Sequence, residues 1–146
     1  MATAANRVTA WADRKAPDLD DFYALADAAW ERLPQHFRDL CKGIVFQIHD
    51  FAEDDVLKDL GIESPFDLMG LYHGVSIAQQ DAGGIPQGPT YVFLYRRAIL
   101  DYWMEGEDTL GHLVTHVLVH EIGHHFGLSD ADMEAIEGEA RRDERR

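Results

Sequence analysis

The stretch HVLVHEIGHHFGLSD, His116 to Asp130, packs four histidines, one glutamate and two glycines into fifteen residues. Placed at about 100° per residue, Leu110, Leu113, Val114, Val117, Leu118, Val119, Ile122 and Phe126 spread around most of a helix circumference. The segment therefore reads as a buried central helix. An imidazole taken from water into such a place must find a hydrogen-bond partner or a metal.

His112, His116, His120 and His124 are spaced by four, so neighbours lie only about 40° apart and any adjacent pair has chelating geometry. What separates the pairs is the residue beside them. Only His120 is followed directly by a glutamate and then by a histidine at i+4, giving His-Glu-x-x-His. There two imidazoles grip one cation from successive turns, while Glu121, about 100° further round, stays outside the ligand set beside the water that the metal activates. Gly127 stands three residues after His124 and Asp130 six after it, extending the pattern to HExxHxxGxxD. A glycine there can end the helix with positive φ and swing the chain back, so that Asp130 supplies an oxygen ligand. Two imidazoles and a carboxylate suit one zinc ion per chain, and iron or manganese can use the same shell.

Each of these residues also has a plainer reading. His120, Glu121 and His124 can be buried, hydrogen-bonded polar groups. Asp130 can be the N-cap of a following helix, ADMEAIE, in which case Glu134 or Glu137 becomes the replacement ligand. The extended motif favours the metal. His125 points more than about 90° from the His120/His124 face and is expected to pack or to lie at the surface. His116, one turn before His120, is an outer-shell or cleft-lining candidate, but best read as a satisfied core histidine. His112, His36, His49 and His73 have no partner visible in the sequence. Arg96 and Arg97 are candidates for holding a substrate carboxylate, and Tyr72, Tyr91 and Tyr95 for an oxyanion, with solvation and packing the default duties.

Outward from this helix, 146 residues with 46% hydrophobic content fit one compact domain. Composition divides the chain into a polar leader over 1–18, a body over 19–137 and a charged tail over 138–146. The net charge of −14 opposes attraction to nucleic acid or an anionic membrane. Cys41 is the only cysteine, so any metal site must use nitrogen and oxygen. With no signal-like leader and no stretch of about 20 apolar residues, a cytoplasmic protein without membrane attachment is expected.

In DLDDFYALADAAWERL the apolar residues Phe22, Leu25, Ala26, Ala29, Trp30 and Leu33 recur at three and four, an amphipathic helix that Pro34 interrupts. GIVFQIHDF alternates as a strand, EDDVLKDLG is a short helix stopped by Gly61, and LYHGVSI and TYVFLY are two further strands. Between them, AQQDAGGIPQGP (78–89) excludes regular structure and is a candidate cover for the cleft. A short helix from Arg96 to Met104 follows, and Asp108 or a neighbour caps the histidine helix.

The run HEIGHHFGLSD, preceded by GLYHGV and YVFLYRRAI, resembles the small bacterial zincin-like metallopeptidases, sometimes described as minimal zincins, over about Gly43 to Glu137. The resemblance implies an α+β fold with a small mixed sheet packed against a buried active-site helix and additional helices around it. It also implies zinc on His120, His124 and Asp130, with Glu121 as general base. Metzincins share HExxHxxG, usually with a third histidine where Asp130 stands. Their methionine turn has no counterpart in the sequence, since Met133 lies too near Asp130.

The expected activity is zinc-dependent hydrolysis of peptide bonds. In zincins an extended peptide pairs with the strand bordering the cleft, and Thr90 to Tyr95 is the segment expected to be that edge. An acidic protein favours peptide or unfolded protein substrates that are neutral or basic. The alternatives are a non-proteolytic zinc-binding regulator on the same scaffold and a zinc endoribonuclease. The charge and the glutamate after His120 disfavour the latter.

Overall fold

The computed structural model describes residues 3–41, 43–74 and 90–144, with side chains to 142. The connection expected over 78–89 and the second half of LYHGVSI fall outside the described residues. The fold is α+β: a three-stranded mixed sheet, covered on one face by helices, with the histidine helix at the centre of the packing.

Helix α1 (Ala4–Ala12) occupies much of the expected leader, capped by the Thr3 side chain, and none of its residues is buried. Asp18 caps α2 (Leu19–Arg32) through a reciprocal capping box with Asp21. The amphipathic spacing buries Phe22, Ala26, Ala29 and Leu33. Pro34 ends that helix and starts the single turn α3 (Gln35–Arg38). Strand β1 (Ile44–His49) buries Phe46 and Ile48 and turns Val45 and His49 outward, the alternation the sequence carries. After it come α4 (Asp54–Leu60), stopped by Gly61 in the left-handed region, and a 3-10 turn (Pro65–Asp67). Strands β2 (Gly70–His73) and β3 (Thr90–Tyr95) complete the sheet.

The strand order is β1-β3-β2, with β1 parallel and β2 antiparallel to β3. This corrects one expectation. Thr90 to Tyr95 is the central strand, paired with β1 on one side and β2 on the other, and its Val92 and Leu94 are wholly buried against the helices. Of the two edges, β2 is the one that crosses the histidine helix. The Tyr95 amide donates to the Met69 carbonyl at 3.0 Å. By the antiparallel alternation, Leu71 and His73 then bond toward β3, whereas the amide and carbonyl of Gly70 and Tyr72 point away from the sheet.

Three helices follow: α5 (Arg96–Glu105), α6 (Leu110–His125) and α7 (Asp130–Glu144). Helix α6 lies under the sheet, packed by α2, α5, α7, β2 and β3. Its Leu113, Val114, Val117, Leu118, Val119 and Ile122 are buried on nearly all sides. Each such side chain contributes about 1.5–3 kcal/mol, so α6 is held in place by the core. Met133 of α7 is fully buried in the same core, which fixes α7 beside α6.

Among the described residues, no helix is long and apolar enough to cross a membrane. Arg96 and Arg97 serve the fold. Arg96 binds Asp50 at 2.8 Å and the Pro17 carbonyl at 2.7 Å, and Arg97 covers the Phe51 ring.

Candidate metal centre

Thr109 caps α6 by accepting the His112 amide, and Asp108 meets the Thr109 amide and His112 Nδ1 at 2.9 and 3.0 Å. The helix ends as its sequence requires. Gly127 has φ 72°, its amide donates to the His124 carbonyl, and the Leu128 amide reaches back to the Gly123 carbonyl at 2.9 Å. This is a Schellman ending, and a side chain at 127 would be strained in it.

The chain then restarts at once. The Ser129 hydroxyl accepts the Asp132 amide at 3.1 Å, and the Asp132 carboxylate accepts the Ser129 amide at 3.2 Å. Ser129 is therefore the N-cap of α7, which answers the competing reading of Asp130. Its carboxylate has no capping duty, and its charge reaches His120. The S-x-x-D spacing of Ser129 and Asp132 was the signal for this in the sequence.

Two flanks of α6 carry the chemistry. On the flank facing β2, Glu121 runs beneath Gly70. A Cβ at position 70 would sit 2.8 Å from Val117 Cγ1 and 3.2 Å from Glu121 Cγ, so the glycine is what lets strand and helix close over the carboxylate. Among the described residues no group donates a hydrogen bond to Glu121. Burial alone pushes its pKa up to about 7. Burial first, then the charges of Glu121 and Glu53, push the Tyr95 phenol up to about 12. Further along this flank Tyr72 packs on His125, with ring centroids 4.1 Å apart, and turns its hydroxyl toward Thr90 and Cys41. His125 thus packs, as its helix angle demands, and the rings Tyr72 meets are those of His125 and Phe126.

On the opposite flank α7 supplies Glu137, whose side chain is only 14% exposed. Its Oε1 lies 2.7 Å from His116 Nδ1 and its Oε2 lies 3.7 Å from His120 Nε2. The His116 and His120 rings are 3.9 Å apart, and the His120 and His124 rings meet edge-on at 5.4 Å. The Glu137 hydrogen bond raises the His116 pKa, while burial and then the neighbouring His116 lower that of His120. His116 also lines a shallow cleft of about 240 Å³ with Trp103 and Asp108. His116 is thus satisfied, as expected, but by a carboxylate from another helix and at a half-exposed position.

Among the described residues, the group whose donor atoms lie within 4.8 Å of one another is His116, His120 and Glu137. His120, His124 and Asp130 are not drawn together to that distance. Glu137 entered the sequence reading only as a substitute for Asp130. Its approach to His116 depends on how α7 folds back, which helix spacing does not encode.

A separate cleft of about 340 Å³ opens on the far face of the sheet, lined by His49, Phe51, Glu53, Val56, Leu71, His73, Phe93 and Tyr95. None of its lining residues comes from α6. Tyr95 and the half-buried Phe93 stack there along β3.

No curated protein matches this chain. A solved structure, a conserved hypothetical protein from Thermo thermophilus, is similar to it with a TM-score of 0.48 and 21% identity, over 75% of this chain and 94% of that one. The model of the zincin-like metallopeptidase family matches residues 41–140, from Cys41 ahead of β1 to Ala140 in α7, and the chain belongs to that family.

Proposed function

We propose that the protein is a zinc-dependent peptidase in which His120, His124 and Asp130 hold the metal and Glu121 is the general base. The observation that carries this reading is Glu121 itself, a carboxylate enclosed under the sheet edge with its pKa raised to about 7, beside paired histidines. Such a value suits a base that must gain and lose a proton near neutral pH. The donor set fits zinc: it offers two imidazole nitrogens and a carboxylate oxygen, and the chain's one cysteine, Cys41, is buried. Asp130 stands ready because Ser129 relieves it of capping.

Around α6, Glu121 is about 100° from His120 and about 60° from His124. A cation between those two histidines is nearer to Glu121 than one between His116 and His120. Bound zinc would supply Lewis acidity, activating water and polarising the scissile carbonyl. Glu121 accepts the proton of the attacking water and delivers it to the departing amine. Gly70 and Tyr72 offer outward backbone groups on the edge strand β2, which suits pairing with an extended peptide of any sequence. The net charge of −14 favours neutral or basic peptides.

The test is to incubate zinc-loaded protein and its Glu121→Gln variant with a proteome-derived peptide library and compare products by mass spectrometry. Cleavage by the parent alone is expected. Identical product sets would remove Glu121 from the mechanism, and no products from either would remove the peptidase reading.

A further inference from the structure

The catalytic ligand set leaves out the side chains that the fold brings closest together. Glu137 is a mostly buried carboxylate that presents one oxygen to His116 and the other to His120. Two atoms bound to one tetrahedral zinc, at bond lengths of 2.0–2.2 Å, are about 3.3–3.6 Å apart. The 3.7 Å between His120 Nε2 and Glu137 Oε2 is almost that spacing. The 2.7 Å between His116 Nδ1 and Glu137 Oε1 is a hydrogen-bond length that must open by about half an ångström if a cation replaces the shared proton. His116 is half exposed, with room to make that shift.

We propose that His116, His120 and Glu137 form a second, non-catalytic site for a divalent cation, which competes with the first site for His120. The inference rests on the reading that His120, His124 and Asp130 hold the catalytic metal. His120 presents Nε2 to Glu137, and one nitrogen cannot serve two cations, so the two sets exclude each other. A cation in the second set lies on the α7 flank, on the side of His120 turned away from Glu121, which lies under Gly70 on the β2 flank. The general base cannot reach water there. The site therefore holds metal without catalysing hydrolysis, and binding releases the proton shared by His116 and Glu137.

The experiment measures zinc per chain by equilibrium dialysis against zinc alone, with folding checked by circular dichroism. The parent is expected to bind one zinc. The double variant His124→Ala/Asp130→Ala is expected still to bind one, more weakly, and to lose it when Glu137→Gln or His116→Ala is added. Failure of the double variant to bind zinc, or a bound zinc indifferent to Glu137→Gln, overturns the proposal. Two zinc ions in the parent overturn the mutual exclusion. The complementary variant His116→Ala/Glu137→Gln separates this idea from the catalytic reading. It should keep one zinc through His120, His124 and Asp130, and its loss would overturn that ligand set. Because His116, His124 and Asp130 are exposed and Glu137→Gln keeps the side chain's size, matched circular dichroism spectra are expected throughout.

Discussion

Glu121 and Glu137 are two carboxylates on opposite flanks of the same helix, and their surroundings make them different chemical groups. Glu121 is closed in by β2, with apolar Val117 beside it and no donor among the described residues, so the uncharged form is favoured and the pKa rises to about 7. Glu137 is as well hidden, but two imidazoles face its two oxygens. A carboxylate without a partner is poised to take a proton. A carboxylate between two nitrogens is poised to hold a cation or to orient a histidine. The two flanks of α6 thus present a proton acceptor on one side and a carboxylate held between two imidazoles on the other.

The largest effect should come from the residue both flanks share. His120→Ala is predicted to abolish zinc binding, well beyond the 10–100-fold that loss of an outer-shell partner costs, because neither ligand set survives it. Zinc bound at parental affinity would place the metal away from α6 altogether.

Next is Glu121→Gln, predicted to lower peptide cleavage by about 10²–10⁴-fold at unchanged zinc content. The same change should stabilise the metal-free protein at pH 8 by on the order of 2 kcal/mol. The sign follows from the raised pKa. Between about pH 4.5 and 7 the folded chain keeps a proton that the unfolded chain has released, so stability falls as the pH rises through that window and stays low above it. Chemical denaturation at pH 5 and pH 8 should show the gain only at the higher pH. An equal gain at both would mean that burial is not what raises the pKa.

Gly70→Ala is a smaller perturbation of the same flank. Its methyl group meets Val117, the Phe93 carbonyl and Glu121 at 2.8–3.2 Å, and overpacking of this kind costs about 1–3 kcal/mol. Thermal unfolding should register that loss, together with reduced cleavage, while zinc affinity stays within a factor of about two, because the methyl group meets none of the proposed ligands. A parallel fall in zinc affinity would show that the two flanks are mechanically coupled.

The smallest effect is expected from Glu137→Gln on the stability of the metal-free protein, up to about 1 kcal/mol, since the His116 partner is 46% exposed and solvent screens the pair. Because Glu137 raises the His116 pKa, this contribution is fully present below about pH 6.5 and fades as the pH rises through the folded-state value. The difference in denaturation midpoint between parent and variant should be larger at pH 6 than at pH 9. A pH-independent difference would make the contact an uncharged hydrogen bond.

The sequence by itself determined the local structure. Period-3.6 and period-2 patterns placed α2 and β1, the all-round apolar run with histidines every four residues placed α6, Gly127 stopped it, and HExxHxxGxxD marked the family and Glu121 as the base candidate. These are properties of a few consecutive residues, set by backbone sterics and by which face must be buried, so they survive in one dimension. Tertiary structure alone decided that β3 is central and β2 is the edge over α6, because strand order depends on which apolar faces meet, and both strands carry similar apolar residues. Above all it brought Glu137 to His116 and His120 from 21 and 17 positions away, a distance in sequence that no helical period spans and that only the packing of Met133 and α7 against α6 closes.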